Sequence, residues 1–218
     1  MDLTTTIDFL NELKLNNTKE WFESNKSWYQ SSRKAFLELT QELINGSASF
    51  DPELQGLESK HCIYRINRDI RFSNDKTPYK TNFGAHIGRE GKKTTGTGYY
   101  IHIAPGDNFL GGGIYMPQPD ILAAIRQEID YNPDPLIKLT ETSYFREHFG
   151  EIKGETLKTA PKGYPKDHPR IHLLRLKSFY VLKSFTDEEL TSGEFVPMAL
   201  EIYKEVKKFN HYLQVAIS

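Results

Sequence analysis

The sequence predicts an α+β fold, a single domain over residues 1–218 with a central, mainly antiparallel sheet flanked by N-terminal and C-terminal helices. Three observations lead there. Near both ends, apolar residues recur at three- and four-residue spacing, the mark of amphipathic helices. Between residues 60 and 116 the period shortens to two, as in strands with one packed face. No repeat, low-complexity tract or linker divides the 218 residues, whose 38% apolar and 12% aromatic content is ample for a packed core.

Residues 1–50 read as helical. Trp21, Asn25, Trp28, Ser32, Ala35, Leu39 and Leu43 follow helical spacing, and Asn17 with Glu20 fits a capping box. Trp21, Phe22, Trp28 and Tyr29 read as core aromatics rather than a ligand platform. "NGSASFDPELQG" ends the helix. The sheet core occupies residues 60–116. In its first strand, Cys62, Tyr64, Ile66, Ile70 and Phe72 fall on a packed side, while Ile63, Arg65, Asn67, Asp69 and Arg71 fall on the other. A bend near Asn67 to Asp69 is expected because a dozen residues is long for one strand. "SNDKTP" is a turn, and "TNFGAHIG" and "GYYIHIAP" form a hairpin with His86 and His102 off the core side. "FLGGGIY" is a further strand.

Residues 117–150 return to helix, opened by Pro119 and Asp120 and buried along Ile121, Leu122, Ile125 and Ile129. Residues 153–185 give a proline-stiffened loop, a short helix and the strand "SFYVLKSF". A helix over 193–216 closes the chain, with Phe195, Met198, Ala199, Ile202, Val206, Phe209 and Leu213 as its buried stripe.

The net charge of −1 hides a segregation. Residues 60–93 carry nine Lys/Arg against three acids and residues 153–183 eight against two, so each stretch is +6 and the remainder is −13. Were the two stretches to meet, they would form a cationic cleft on an acidic body, suited to a small anion and repellent to long polyanions. The alternative is two unrelated solvated faces. Arginine forks match phosphate or carboxylate oxygens, so Arg65, Arg68 and Arg71 are the expected anion contacts, joined by Lys76, Lys80, Lys158 and Lys162. Asp69 and Asp75 are read as orienters or a catalytic base, and His86, His102 and His168 as further acid–base candidates, the last beside Asp167. Gly112 and Gly113, within "GGG", offer backbone N–H groups to an anion, with Tyr115 just beyond.

Other chemistries have less support. Asp69, His86 and His102 could form a two-histidine, one-carboxylate set, but no HxD, HExxH or paired CxxC spacing is present and no metal site is expected. Dinucleotide, P-loop and nucleophile-elbow motifs are absent, and no cofactor is expected. Cys62 is read as packed. With one cysteine, no secretory leader and no long apolar run, the expected setting is the cytoplasm and no membrane partner is expected. Two competing readings remain: a module for short or single-stranded nucleic acid, in which Tyr79, Tyr99 and Tyr100 stack on bases, and a structural protein whose charges only pair with one another. No feature specifies an oligomeric state or decides whether the protein is an enzyme.

The blocks "YRINRDIRFSNDKTPYKTNFGAHI", "GYYIHIAPGDNFLGGGIYMPQPDILAAIR" and "LKTAPKGYPKDHPRIHLLRLKS", together with "NNTKEWFESNK", resemble the signature segments of the microbial family called domain of unknown function 2461. The resemblance runs essentially end to end. It implies a free-standing, one-domain cytoplasmic protein and brings no established activity with it.

Overall fold

The structure is a computed structural model and describes residues 3–72 and 74–218. Three helices open the chain: α1 (Thr4–Leu15), α2 (Lys19–Ser24) and α3 (Lys26–Ser47). Strands β1 (Phe83–Ile87), β2 (Gly98–Ile103) and β3 (Asn108–Ile114) follow. Next come α4 (Pro119–Tyr131), α5 (Asp134–Thr140), α6 (Ser143–His148), α7 (Ile171–Leu174), β4 (Phe179–Phe185), α8 (Asp187–Thr191) and α9 (Phe195–Ile217). Among the described residues the strands form one antiparallel sheet in the order β1-β2-β3-β4, the expected α+β class. The chain also resolves into two compact units, the first comprising residues 1–93, 100–110 and 184–201, the second residues 94–99, 111–183 and 202–218.

In the first unit the core is aromatic. Phe9 of α1 lies among Trp21, Phe22, Trp28, Tyr29 and Phe83, with ring centroids 5.8–6.5 Å apart. The Trp28 indole N–H donates to the Thr5 carbonyl at 3.0 Å. These rings are therefore structural, as their spacing suggested. The long N-terminal helix of the sequence reading is interrupted, however. Thr18, not Asn17, caps α2 by accepting from the Trp21 N–H, and the helix breaks at Asn25 before α3 begins.

Asn17 has another task. Its Nδ2 donates to the Tyr79 carbonyl at 3.0 Å and its Oδ1 accepts from the Tyr79 N–H at 3.1 Å. A carboxamide carries a donor and an acceptor side by side, so here it takes the place of a neighbouring strand. The Tyr79 ring meanwhile stacks on Phe22 at 3.9 Å and 14°.

The expected first strand is corrected. Residues 62–68 make ladder bonds to two different partners instead of one. Tyr64 N–H donates to Gly84 and Cys62 accepts from His86 N–H, beside the antiparallel bridge Ile63 to Ala85. Further on, Arg68 N–H donates to Pro78 and Ile66 accepts from Lys80 N–H, around the bridge Asn67 to Tyr79. The second pairing is a hairpin with residues 69–77 as its loop. Changing partners breaks the alternation: Ile63 is buried, Tyr64 is 40% exposed, and Phe72 is 96% exposed on the loop.

In the second unit, α9 packs as its spacing predicts, with Ile202, Val206, Phe209 and Leu213 buried, while the Tyr203 ring lies tilted against Tyr99 at 4.9 Å. The three glycines of β3 are here close-packing residues. A Cβ on Gly111 would collide with the Val181 carbonyl, one on Gly112 with Val206 and the Gly98 carbonyl, and one on Gly113 with the Phe179 carbonyl. All three are buried, and Gly112 and Gly113, expected to offer N–H groups to an anion, here serve the close packing of strand and helix.

Two stability measurements check these contacts. Asn17→Ala leaves the buried Tyr79 peptide groups without their partner and is expected to cost about 1–3 kcal/mol, a fall of roughly 3–10 °C in Tm for a chain of this size. Gly112→Ala is expected to lose about 1–3 kcal/mol through overpacking, whereas Gly96→Ala, whose Cβ would meet only Ile217 Cδ1 at 3.7 Å, stays within about 0.5 kcal/mol of the parent in the same melts.

Candidate functional site

The hairpin of residues 66–80 and the corner between α1 and α2 enclose a pocket of about 350 Å³ in the first unit. Its walls are Lys14, Asn17, Arg68, Asp75, Thr77, Tyr79, Lys80, Thr81 and Asn82. The sequence groups most of them: "TPYKTN" supplies six consecutive residues, of which five line the cavity. Lys14 and Asn17 come from the other side of a 50-residue stretch of sequence. The Asn17 clamp on Tyr79 is what brings them to the hairpin.

Inside the pocket, charges fall into two groups. Arg68 Nη1 is engaged by Asp75 Oδ2 and donates to Thr77 Oγ1 at 2.6 Å. Asp75 Oδ1 in turn accepts from Thr77 N–H at 2.9 Å and from its hydroxyl at 2.8 Å. Thr77 N–H, then Arg68, hold the Asp75 carboxyl down to about 2. Asp75 is thus an ionised orienter of Arg68 that holds no proton near neutrality. Lys14 and Lys80, by contrast, form no ion pair among the described residues. Partial burial, with help from nearby Arg65, shifts the Lys80 ammonium downward. Its Nζ also lies 5.6 Å from the centre of the Tyr64 ring.

Of the other expected anion contacts, Arg71 is committed to Asp69 through a two-pronged pair, Nε to Oδ1 at 2.9 Å and Nη2 to Oδ2 at 2.6 Å. That pairing lowers the Asp69 carboxyl. Lys76 reaches across the loop to the Ile70 carbonyl at 3.0 Å. Arg65 is exposed. None of these three cations lines the pocket, nor does Asp69.

The remaining candidates lie elsewhere. His86 and His102 are half-buried, and burial lowers both imidazoles. His102 stacks on Phe109 at 4.6 Å and 6°. Among the described residues no three His, Cys, Asp or Glu gather as a metal site would, so Asp69, His86 and His102 are not brought together. Cys62 is buried, which pushes its thiol up to about 11.

In the second unit, the partner of His168 is corrected. Its Nε2 lies 2.9 Å from Asp130 of α4, not paired with Asp167, and its Nδ1 accepts from the Arg170 N–H at 3.0 Å. The Nδ1 bond assigns the proton to Nε2, which donates to Asp130. One ring nitrogen thus ties the proline-rich loop to α4 and the other braces the loop's own backbone. Arg175 donates to the Leu157 and Lys158 carbonyls at 2.6 and 3.0 Å, and Lys177 pairs with Glu155 at 2.9 Å. Lys158 and Lys162 are exposed, and Tyr115, 72% exposed, meets Tyr180 edge to face. No residue of 153–183 lines the described pocket.

The Asp75 network has a testable pH signature. A carboxyl depressed by folding contributes stability above its unfolded value, about 3.9, and loses it as pH falls toward the folded value. The Tm advantage of the parent over Asp75→Asn is therefore expected to be constant from pH 7 down to about 5 and to close as the pH approaches 2.

No helix among the described residues is long and apolar enough to cross a membrane. No curated protein and no solved structure matches the chain. A family model described as "Conserved hypothetical protein (DUF2461)" does match, over residues 5–212, nearly the whole length. The chain, as its motif blocks suggested, belongs to the conserved hypothetical protein family DUF2461.

Proposed function

We propose that this protein binds a phosphorylated or otherwise anionic small molecule in the pocket of its first unit. The observation that carries this reading is the presence of Lys14 and Lys80, neither of them ion-paired among the described residues, on the wall of one cavity together with an arginine held in place by Asp75. Cationic side chains that line one cavity repel one another until an anion enters, and charge-assisted hydrogen bonds then offset the cost. Asp75 offsets one positive charge and fixes the Arg68 fork, so the local excess falls on the two lysines. Thr81 and Asn82 add neutral hydrogen-bonding groups for the uncharged part of the ligand. A volume of about 350 Å³ suits a small metabolite.

The cationic cleft thus needs only residues 66–82 and the end of α1, without the second basic stretch. A thiol as buried as Cys62 and a single cysteine in the chain support placing the protein in the reducing cytoplasm.

Thermal shift and titration calorimetry with inorganic phosphate, sugar phosphates and nucleotides test the proposal. At least one anion is expected to raise Tm, and Lys80→Ala and Lys14→Ala are each expected to weaken its binding by about tenfold or more, the loss typical of a charge-assisted hydrogen bond. No stabilisation by any of these anions, or binding unchanged in both variants, rules it out.

A further inference from the structure

Beside the pocket, adjoining it through Lys80 and Asn82, lies an aromatic surface that the anion proposal does not use. On the face of the sheet in the first unit, Tyr64 and Tyr100 lie with centroids 6.4 Å apart. Tyr100 neighbours Phe109 at 5.8 Å and His102 at 6.2 Å. Tyr64 is 40% exposed; Tyr100, His102 and Phe109 are partly so. Two residues join this strip to the pocket. Lys80 lines the cavity and also sits over the Tyr64 ring. Asn82 lines it too, and its amide shares with the Tyr100 hydroxyl the space above Gly84, where a Cβ would meet that hydroxyl at 2.5 Å. Gly84 is thus the residue that lets Tyr100 lie down against the sheet. Tyr99 and Tyr79, the other rings expected to stack on bases, are buried and take no part.

Resting on the anion pocket just proposed, we infer that its ligand is a free nucleoside monophosphate, the phosphate held by Lys14, Arg68 and Lys80 and the base laid against Tyr64 beside Tyr100. A nucleotide carries its anion and its flat ring one sugar apart, and Lys80, 5.6 Å from the Tyr64 ring centre, adjoins both the cavity and the aromatic surface. The ring groups along the strip are uncharged near neutrality: burial raises Tyr64, pushes Tyr100 up to about 12, and lowers His102. An uncharged π surface next to a cationic pocket matches a neutral base joined to a charged phosphate. The cavity has room for one phosphate and sugar, and outside the two basic stretches the chain carries a net charge of −13, which disfavours a long polyanion.

Calorimetry on the full chain with AMP, ribose 5-phosphate, inorganic phosphate and a five-nucleotide single strand decides the matter. AMP is expected to bind at least tenfold more tightly than ribose 5-phosphate, the worth of one stacked base. Tyr64→Leu, a change at an exposed ring, is expected to reduce AMP to the level of ribose 5-phosphate and leave ribose 5-phosphate unaffected, while Lys80→Ala weakens both. Equal binding of AMP and ribose 5-phosphate, or indifference of AMP to Tyr64→Leu, overturns the nucleotide assignment while the anion pocket stands. Tighter, steeply salt-dependent binding of the five-nucleotide strand overturns it in favour of a polymer. If neither phosphate nor any of its esters binds, the pocket reading falls, and the nucleotide with it.

Discussion

The first unit is organised around one carboxamide. Tyr79 sits on the outer strand of a two-stranded hairpin, and its bridge to Asn67 is of the kind in which both peptide groups point away from the partner. Left alone, that edge would expose an N–H and a C=O next to the aromatic core. Asn17 supplies both complements at once, and the Phe22 ring covers the tyrosine from one side. The clamp connects residues 62 positions apart, and Lys14, three residues earlier in the last turn of α1, lies on the wall of the pocket. The packing of the hairpin and the lining of the pocket share the same two hydrogen bonds.

Much of the architecture was legible because it follows period. Helical stripes such as Ile202, Val206 and Phe209, and the strands from Phe83 to Ile114, bury the residues their spacing marks. Where periodicity misled, the backbone had changed partner. The stretch from Cys62 to Phe72 alternates like one strand, yet it pairs first with residues 84–86 and then with 78–80, so the phase resets between Tyr64 and Ile66. Phe72 lies beyond both pairings, on the hairpin loop, and so finishes in solvent. Asn17 was misread for a similar reason: Asx residues cap helices often enough that a contact with a distant edge strand leaves no local trace.

Electrostatics behaved likewise. Arg68 and Lys80 were visible as part of a dense basic stretch, and both line the pocket. Charge density alone could not separate them from Arg71 and Lys76, which are spent on Asp69 and the Ile70 carbonyl inside the hairpin loop. The distinction lies in where the backbone carries each side chain, Arg68 and Lys80 to the pocket wall and Arg71 and Lys76 away from it, and this depends on loop geometry. The second basic stretch shows the same economy, with Arg175 and Lys177 bracing their own loop.

The glycine run in β3 has a mechanical side as well. Because position 112 has no side chain, Val206 projects into a notch in the strand, where the Gly98 carbonyl and the Tyr99 Cα also crowd. A long amphipathic helix with an even apolar stripe could otherwise slide by a turn and still bury similar groups. One branched side chain seated in a bare stretch of backbone works as a detent, so α9, 23 residues long, has a single axial setting.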